Sequence, residues 1–208
     1  MVVMRKTLLF IVFLPLVAFA QVLDADAFID RSLAVMKADS PLQMDYSYKV
    51  YDDDGEIVME DKGMMMLDGC RYALLMNDMK VWCNGETQWS YMESVGEIYV
   101  TSSSSEEAQT LSPLSVMENY RNGCSKSVEL RDGKAFVAFT PEEVENSETV
   151  SVVLDTVSCK LESIRIFMPG QGSIEVSLEN YVSACRFAPN VYECPVEDFP
   201  GVEIVDMR

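Results

Sequence analysis

Chemistry in a folded chain needs groups that move protons, attack carbonyls or hold metals, and here that supply is narrow. The sequence has no histidine, so no Ser-His-Asp or Cys-His couple can form and the usual proton shuttle near neutral pH is missing. No HExxH, GxxxxGK or dinucleotide-type glycine pattern occurs. The adjacent carboxylates Glu106-Glu107 and Glu142-Glu143 lie in polar stretches that would keep them solvated, whereas glycoside hydrolysis needs a buried pair. Six cysteines remain: Cys70, Cys83, Cys124, Cys159, Cys185 and Cys194. They contain no CxxC pair, and with no histidine the pattern favours structural bridges or buried free thiols over a zinc site. Spacing singles out two local pairs. Cys185 faces Cys194 if Pro189-Asn190 tips a two-residue hairpin. Cys70 and Cys83 flank a hairpin around Asn77-Asp78, although a strict two-residue tip puts Tyr72 opposite Cys83. No enzyme activity and no cofactor are expected.

The chain is instead rich in soft apolar side chains. Methionine occurs 14 times, three of them consecutive at Met64-Met65-Met66, so both faces of that segment are apolar. Methionine is unbranched and polarizable, and it suits surfaces that adapt to varied apolar ligands; filling an ordinary core is the plainer role for any one of them. Together these residues make a sheet too apolar for a single packed face, and an acyl chain suits such a site. Each buried CH₂ contributes roughly 0.8 kcal/mol, so one sixteen-carbon chain releases on the order of 10 kcal/mol.

The ends and the charge bound the setting. Arg5 and Lys6 precede an uncharged run to Ala20, ending in Ala18-Phe19-Ala20, the pattern of a cleaved signal peptide over residues 1–20 with Gln21 as the mature start. The run is short for a membrane helix, which needs about 20 residues. Residues 21–208 then form one domain by length. The net charge of −18 excludes the basic stripes that nucleic-acid binding needs and disfavours tight docking on anionic headgroups. A diffusible, exported protein is expected.

The elements that must position these residues follow from periodicity. Asp24–Asp39 reads as an amphipathic helix, with Phe28, Ile29, Ser32, Leu33 and Met36 on one face and Ser40-Pro41 ending it. After Pro41 the period changes to two. Short strands follow near 44–50, 57–62, 64–67, 70–76, 80–83, 87–92 and 97–101, punctuated by Asp53-Asp54-Gly55, Asp68-Gly69, Asn77-Asp78 and Asn84-Gly85. Ser102–Thr110 breaks the pattern. Ser112-Pro113 then starts a second helix running to about Arg121 before Asn122-Gly123. Strands resume near 127–130, 135–140, 149–154, 161–167, 174–178, 185–187, 192–194 and 202–205. The fold class is mainly β: an incomplete antiparallel β-barrel of about a dozen strands, with the N-terminal helix and a lid helix over its concave face. Strand alternation and the lid together nominate Met64, Met66, Trp82, Trp89, Tyr91, Leu114, Val116, Met117, Phe136, Ile164 and Ile166 as the acyl-chain cavity and lid.

Four stretches resemble the LolA family of periplasmic lipoprotein carriers. They are Lys62-Gly63 with the strand through Leu67, the hairpin Asn84-Gly85-Glu86-Thr87-Gln88-Trp89-Ser90-Tyr91, the Ser112-Pro113-Leu114 helix start, and the ending Phe199-Pro200-Gly201-Val202-Glu203-Ile204-Val205-Asp206-Met207-Arg208. The last is especially similar to the family's Bacteroidetes branch. The resemblance implies a periplasmic monomer that carries acylated lipoproteins from an inner-membrane release transporter to an outer-membrane acceptor. A general lipid-binding or lipid-sensing protein on the same fold is the alternative. One departure matters: where the family often has a functional Arg after the early apolar strand, this chain has Asp68-Gly69, with Arg71 nearby but not aligned.

Overall fold

The computed structural model describes residues 24–105, 108, 111–141 and 147–208; the expected leader and both carboxylate pairs lie outside them. Helix α1 (Ala25–Asp39) starts where Asp24 accepts a hydrogen bond from the Ala27 N–H, satisfying one of the orphan donors of a first turn. Its buried face carries Ile29, Ser32, Leu33 and Met36. Twelve strands follow. They are β1 (Leu42–Tyr51), β2 (Ile57–Asp68), β3 (Arg71–Met76), β4 (Met79–Cys83), β5 (Thr87–Met92), β6 (Glu97–Ser102), β7 (Cys124–Arg131), β8 (Lys134–Pro141), β9 (Thr149–Asp155), β10 (Leu161–Met168), β11 (Gly172–Val182) and β12 (Glu203–Asp206). Helix α2 (Pro113–Tyr120) stands between β6 and β7.

All strands belong to one open sheet in the order β12-β6-β5-β4-β3-β2-β1-β11-β10-β9-β8-β7. The first six strands meander outward from β1, and β7–β11 meander back to pair with it. The connection from β6 to β7 therefore has to pass from one side of the sheet to the other, and α2 lies on that path. One face of the sheet, from β1–β4 through β7–β11, packs with α1 and α2 in a single core. The sheet thus curls around its helices as an incomplete barrel, as the sequence suggested.

Three local expectations change. Residues 57–62 and 64–67 form one continuous strand, because Gly63 passes the neighbouring strand instead of turning: a Cβ there would sit 1.9 Å from the Leu75 carbonyl oxygen. Gly172 plays the same part at the start of β11, where a Cβ would lie 1.9 Å from the Tyr51 carbonyl oxygen. The expected hairpin at 185–194 is absent. The N–H groups of Ala184 and Cys185 instead bond the carbonyls of Asp39 and Pro41, at 3.1 and 2.8 Å, so this segment lies along the sheet. It ends in β12, which pairs parallel to β6; the sheet is antiparallel everywhere else. The long return of residues 183–202 supplies the crossover that a parallel pair requires. Among the described residues no helix is long and apolar enough to cross a membrane.

Candidate functional site

Register sorts side chains to one face or the other, because directly paired residues point the same way. One inner-face row runs Leu42, Leu67, Tyr72, Cys83, Gln88, Thr101 from β1 to β6. The next runs Met44, Met65, Leu74, Val81, Ser90, Tyr99. Both rows are apolar over β1–β3 and become polar at β5–β6. Methionines concentrate at the apolar end: Met36, Met44, Met65, Met76 and Met117 are buried in the inner core, with Met79 and Met168 packed against it.

Two outer-face rows read Gln43, Met66, Ala73, Trp82, Trp89, Val100 and Asp45, Met64, Leu75, Lys80, Tyr91, Ile98. Met66, Ala73, Trp82 and Tyr192 form a separate small core there, joined by Leu75, Trp89, Tyr91, Phe187 and Phe199. The Phe199 ring lies 4.6 Å from Tyr91 in a tilted contact and meets Trp82 edge-on at 5.9 Å. The eleven residues nominated from the sequence are therefore divided. Leu114, Val116, Met117, Ile164 and Ile166 meet in the inner core. Met64, Met66, Trp82, Trp89 and Tyr91 stand on the outer face toward the C-terminal segment, and Phe136 is on the outer face under the Arg131 guanidinium. Met64-Met65-Met66 could be assigned to either face by composition, and only pairing decides it. Met65, Leu74 and Met76, not nominated from the sequence, lie in that inner core as well; their signal was the same alternation read in the other phase.

Helix α2 packs onto the inner core as a short separate element. Ser112 caps it by accepting from the Ser115 N–H, and Pro113 occupies its first turn. Leu114, Val116 and Met117 point inward. Its outer surface is tied to α1 by two exposed ion pairs, Lys37–Glu118 at 2.6 Å and Arg121–Asp30 at 2.8 Å. Such pairs contribute about 0.2–1 kcal/mol each. A further tie comes from the sheet: the Tyr72 hydroxyl donates to the Ala108 carbonyl at 3.0 Å. Arg71, by contrast, pairs with Asp68 and lies over the Tyr192 ring on the outside. Lys37 and Arg121 thus tie α2 to α1, and Tyr72 holds Ala108 ahead of it.

The six cysteines are free thiols. Burial pushes the Cys83 thiol up, with Cys70 adding to it, and burial with Glu197 pushes Cys194 up to about 11. Protonated thiols are poor nucleophiles. Burial, then Cys83 and Tyr46, raise the Tyr72 phenol well above its usual range, so it stays a hydrogen-bond donor. Among the described residues no three of Cys, Asp and Glu gather as metal ligands would. A cleft of about 810 Å³ lies across the outer face of β8–β11, lined by Lys134, Asp155, Lys160, Glu162 and Glu175. An acyl chain placed there would desolvate those charges, so size alone does not mark the site.

Known structures share the architecture. An uncharacterized conserved protein from Thermus thermophilus superposes with a TM-score of 0.57 at 7% identity, over 88% of this chain and 98% of that one. A LolA superfamily protein from Nitrosomonas europaea (TM-score 0.45, 8% identity, 84% and 99% covered) and the lipoprotein LppX of Mycobacterium tuberculosis (0.49, 12%, 79% and 98%) are more distant. No curated protein sequence matches the chain. Residues 49–170 match the family model described as outer membrane lipoprotein carrier protein LolA; that span is more than half of the sequence, and the chain belongs to this family.

Proposed function

We propose that the protein is a periplasmic chaperone that takes the acyl chains of lipoproteins onto its inner face and carries them from an inner-membrane release transporter to an outer-membrane acceptor. Residues 1–20 serve as a cleaved leader and 21–208 as one domain, acting as a monomer without cofactor. The observation that carries this is α2: a two-turn helix seated on a methionine-rich surface and held at its rim by exposed ion pairs.

Magnitudes support an exchange. Exposing Leu114, Val116 and Met117 costs about 1.5–3 kcal/mol each, or roughly 6 kcal/mol for the helix. One acyl chain returns on the order of 10 kcal/mol. Opening is therefore unfavourable when the protein is empty and compensated when it is loaded. The acyl-contacting surface assigned on this basis is Met65, Leu74, Met76, Ile164 and Ile166, with the α2 residues displaced.

The test is native mass spectrometry of the protein purified from its own periplasm, followed by lipid extraction. Acylated protein or lipopeptide bound near one-to-one is the expected result. Phospholipid or fatty acid alone would indicate a general lipid binder. A protein that comes out empty and also takes up no triacylated peptide would overturn the proposal.

A further inference from the structure

The inner face changes character toward β6, and its polar end is buried. Gln88 is 3% exposed and Thr101 8%; they are direct neighbours across β5 and β6, with Tyr72 two strands further along the same row. The Tyr72 hydroxyl meets Gln88 Oε1 and the Ala108 carbonyl, and Gln88 Nε2 reaches Ser90 Oγ at 3.2 Å. One phenolic hydrogen cannot be donated twice. With the Gln88 amide turned over, its NH₂ donates to the phenol oxygen and its own oxygen accepts from Ser90, which satisfies all three groups. Thr101 Oγ1 is left with no partner among the described residues. A buried unpaired hydroxyl costs about 1–3 kcal/mol, and a methyl in its place would avoid that. A cleft of about 180 Å³ opens beside the row, lined by Tyr72, Cys83, Ser103, Ala108 and Ser115.

We propose that Tyr72, Gln88 and Thr101 form a polar subsite for the ester carbonyls of a diacylglyceryl group. It rests on the carrier proposal and adds the place where the polar part of the lipid sits. In the closed protein the Ala108 carbonyl occupies the Tyr72 hydroxyl. When Ala108 is displaced, a ligand ester carbonyl takes over the same donor, and a second carbonyl accepts from Thr101. The acyl tails then extend along the row toward Leu67 and onto Met65 of the neighbouring row, so the polar-to-apolar order of the inner face matches that of the ligand. Lipoprotein anchors and free phospholipids share this carbonyl chemistry.

The experiment compares three probes on the full chain: a dipalmitoyl-glyceryl lipopeptide, its ether-linked analogue without ester carbonyls, and dipalmitoyl phosphatidylglycerol. The ester lipopeptide binds about tenfold tighter than the ether. Thr101→Val abolishes most of that preference, leaves the ether affinity unchanged and raises the melting temperature; Thr101→Ser keeps the preference, and Tyr72→Phe reduces it. Phosphatidylglycerol bound as tightly as the lipopeptide, with the same response to Thr101→Val, supports the subsite and makes free phospholipid its source. Equal binding of ester and ether by the unaltered protein, or an equal loss for both probes in Thr101→Val, overturns the subsite and leaves the carrier proposal standing. Failure to bind any probe overturns both.

Discussion

Truncating Met117 to alanine separates a movable α2 from a fixed one. Met117 is 0% exposed at the centre of the inward face of α2. Replacing a buried methionine by alanine costs about 2–5 kcal/mol, the lower end where the surroundings can close in. If α2 must leave for cargo to enter, that loss falls on the closed state and not on the loaded one. Ligand affinity then rises by the same free energy: about 2 kcal/mol, or about 30-fold. The assay is a fluorescence titration of the full chain with a labelled triacylated peptide, paired with thermal denaturation. Met65→Ala is the comparison. Met65 is also 0% exposed but belongs to β2, so its truncation lowers the melting temperature without tightening binding. The reasoning is refuted if Met117→Ala leaves affinity unchanged or weakens it while destabilising the protein as Met65→Ala does; α2 would then be a permanent part of the core.

Reversing the rim charges with Lys37→Glu and Arg121→Glu sets like charges against Glu118 and Asp30; lipopeptide affinity should rise about fivefold at low salt, with the gain fading near 0.5 M salt, and a gain independent of salt would contradict the electrostatic tie. Gly63→Ala drives a Cβ to 1.9 Å from the Leu75 carbonyl oxygen and should lower the melting temperature by about 10 °C or more, whereas Gly123→Ala, in open space, should cost about 1 kcal/mol; equal calorimetric shifts would show that the two backbones can separate there. Phe199→Ala removes the ring over Trp82 and Tyr91, so tryptophan emission should shift to the red with lipopeptide affinity unchanged, and a large loss of affinity would place the outer aromatic cluster in the site after all. Burial raises the Asp61 carboxyl, but the N–H groups of Asp78 and Lys62 and the Asn77 amide outweigh it and hold it below its usual value; the stabilisation is full above about pH 4 and lost as pH falls through the lower folded value, so Asp61→Asn should flatten that acid limb in urea titrations, and an unchanged limb would show that this cap adds nothing.

Much of the architecture follows from local signals that need no partner. The face of α1, its Asp24 cap and its end before Pro41 are local; so are the Ser112-Pro113 start of α2 and the alternating strands of a curled sheet, because each depends on residues within a turn or a hairpin. The absence of histidine and of phosphate-binding loops bears on function just as directly. Tertiary structure decided what depends on distant backbone. Gly63 looks like a break between two strands until β3 is seen to press against it. The 185–194 stretch looks like a hairpin until Ala184 and Cys185 are seen to bond the carbonyls of Asp39 and Pro41 at the junction of α1 and β1. The inward set was undecidable for the same reason: Met64-Met65-Met66 is apolar in either phase, and a one-residue shift exchanges its faces. The sequence alone pointed to a strongly apolar, curled sheet with a helix over it. Which methionines face that helix, and that the inner face becomes polar at Gln88 and Thr101, were settled by strand pairing over long separations, where no local signal reaches.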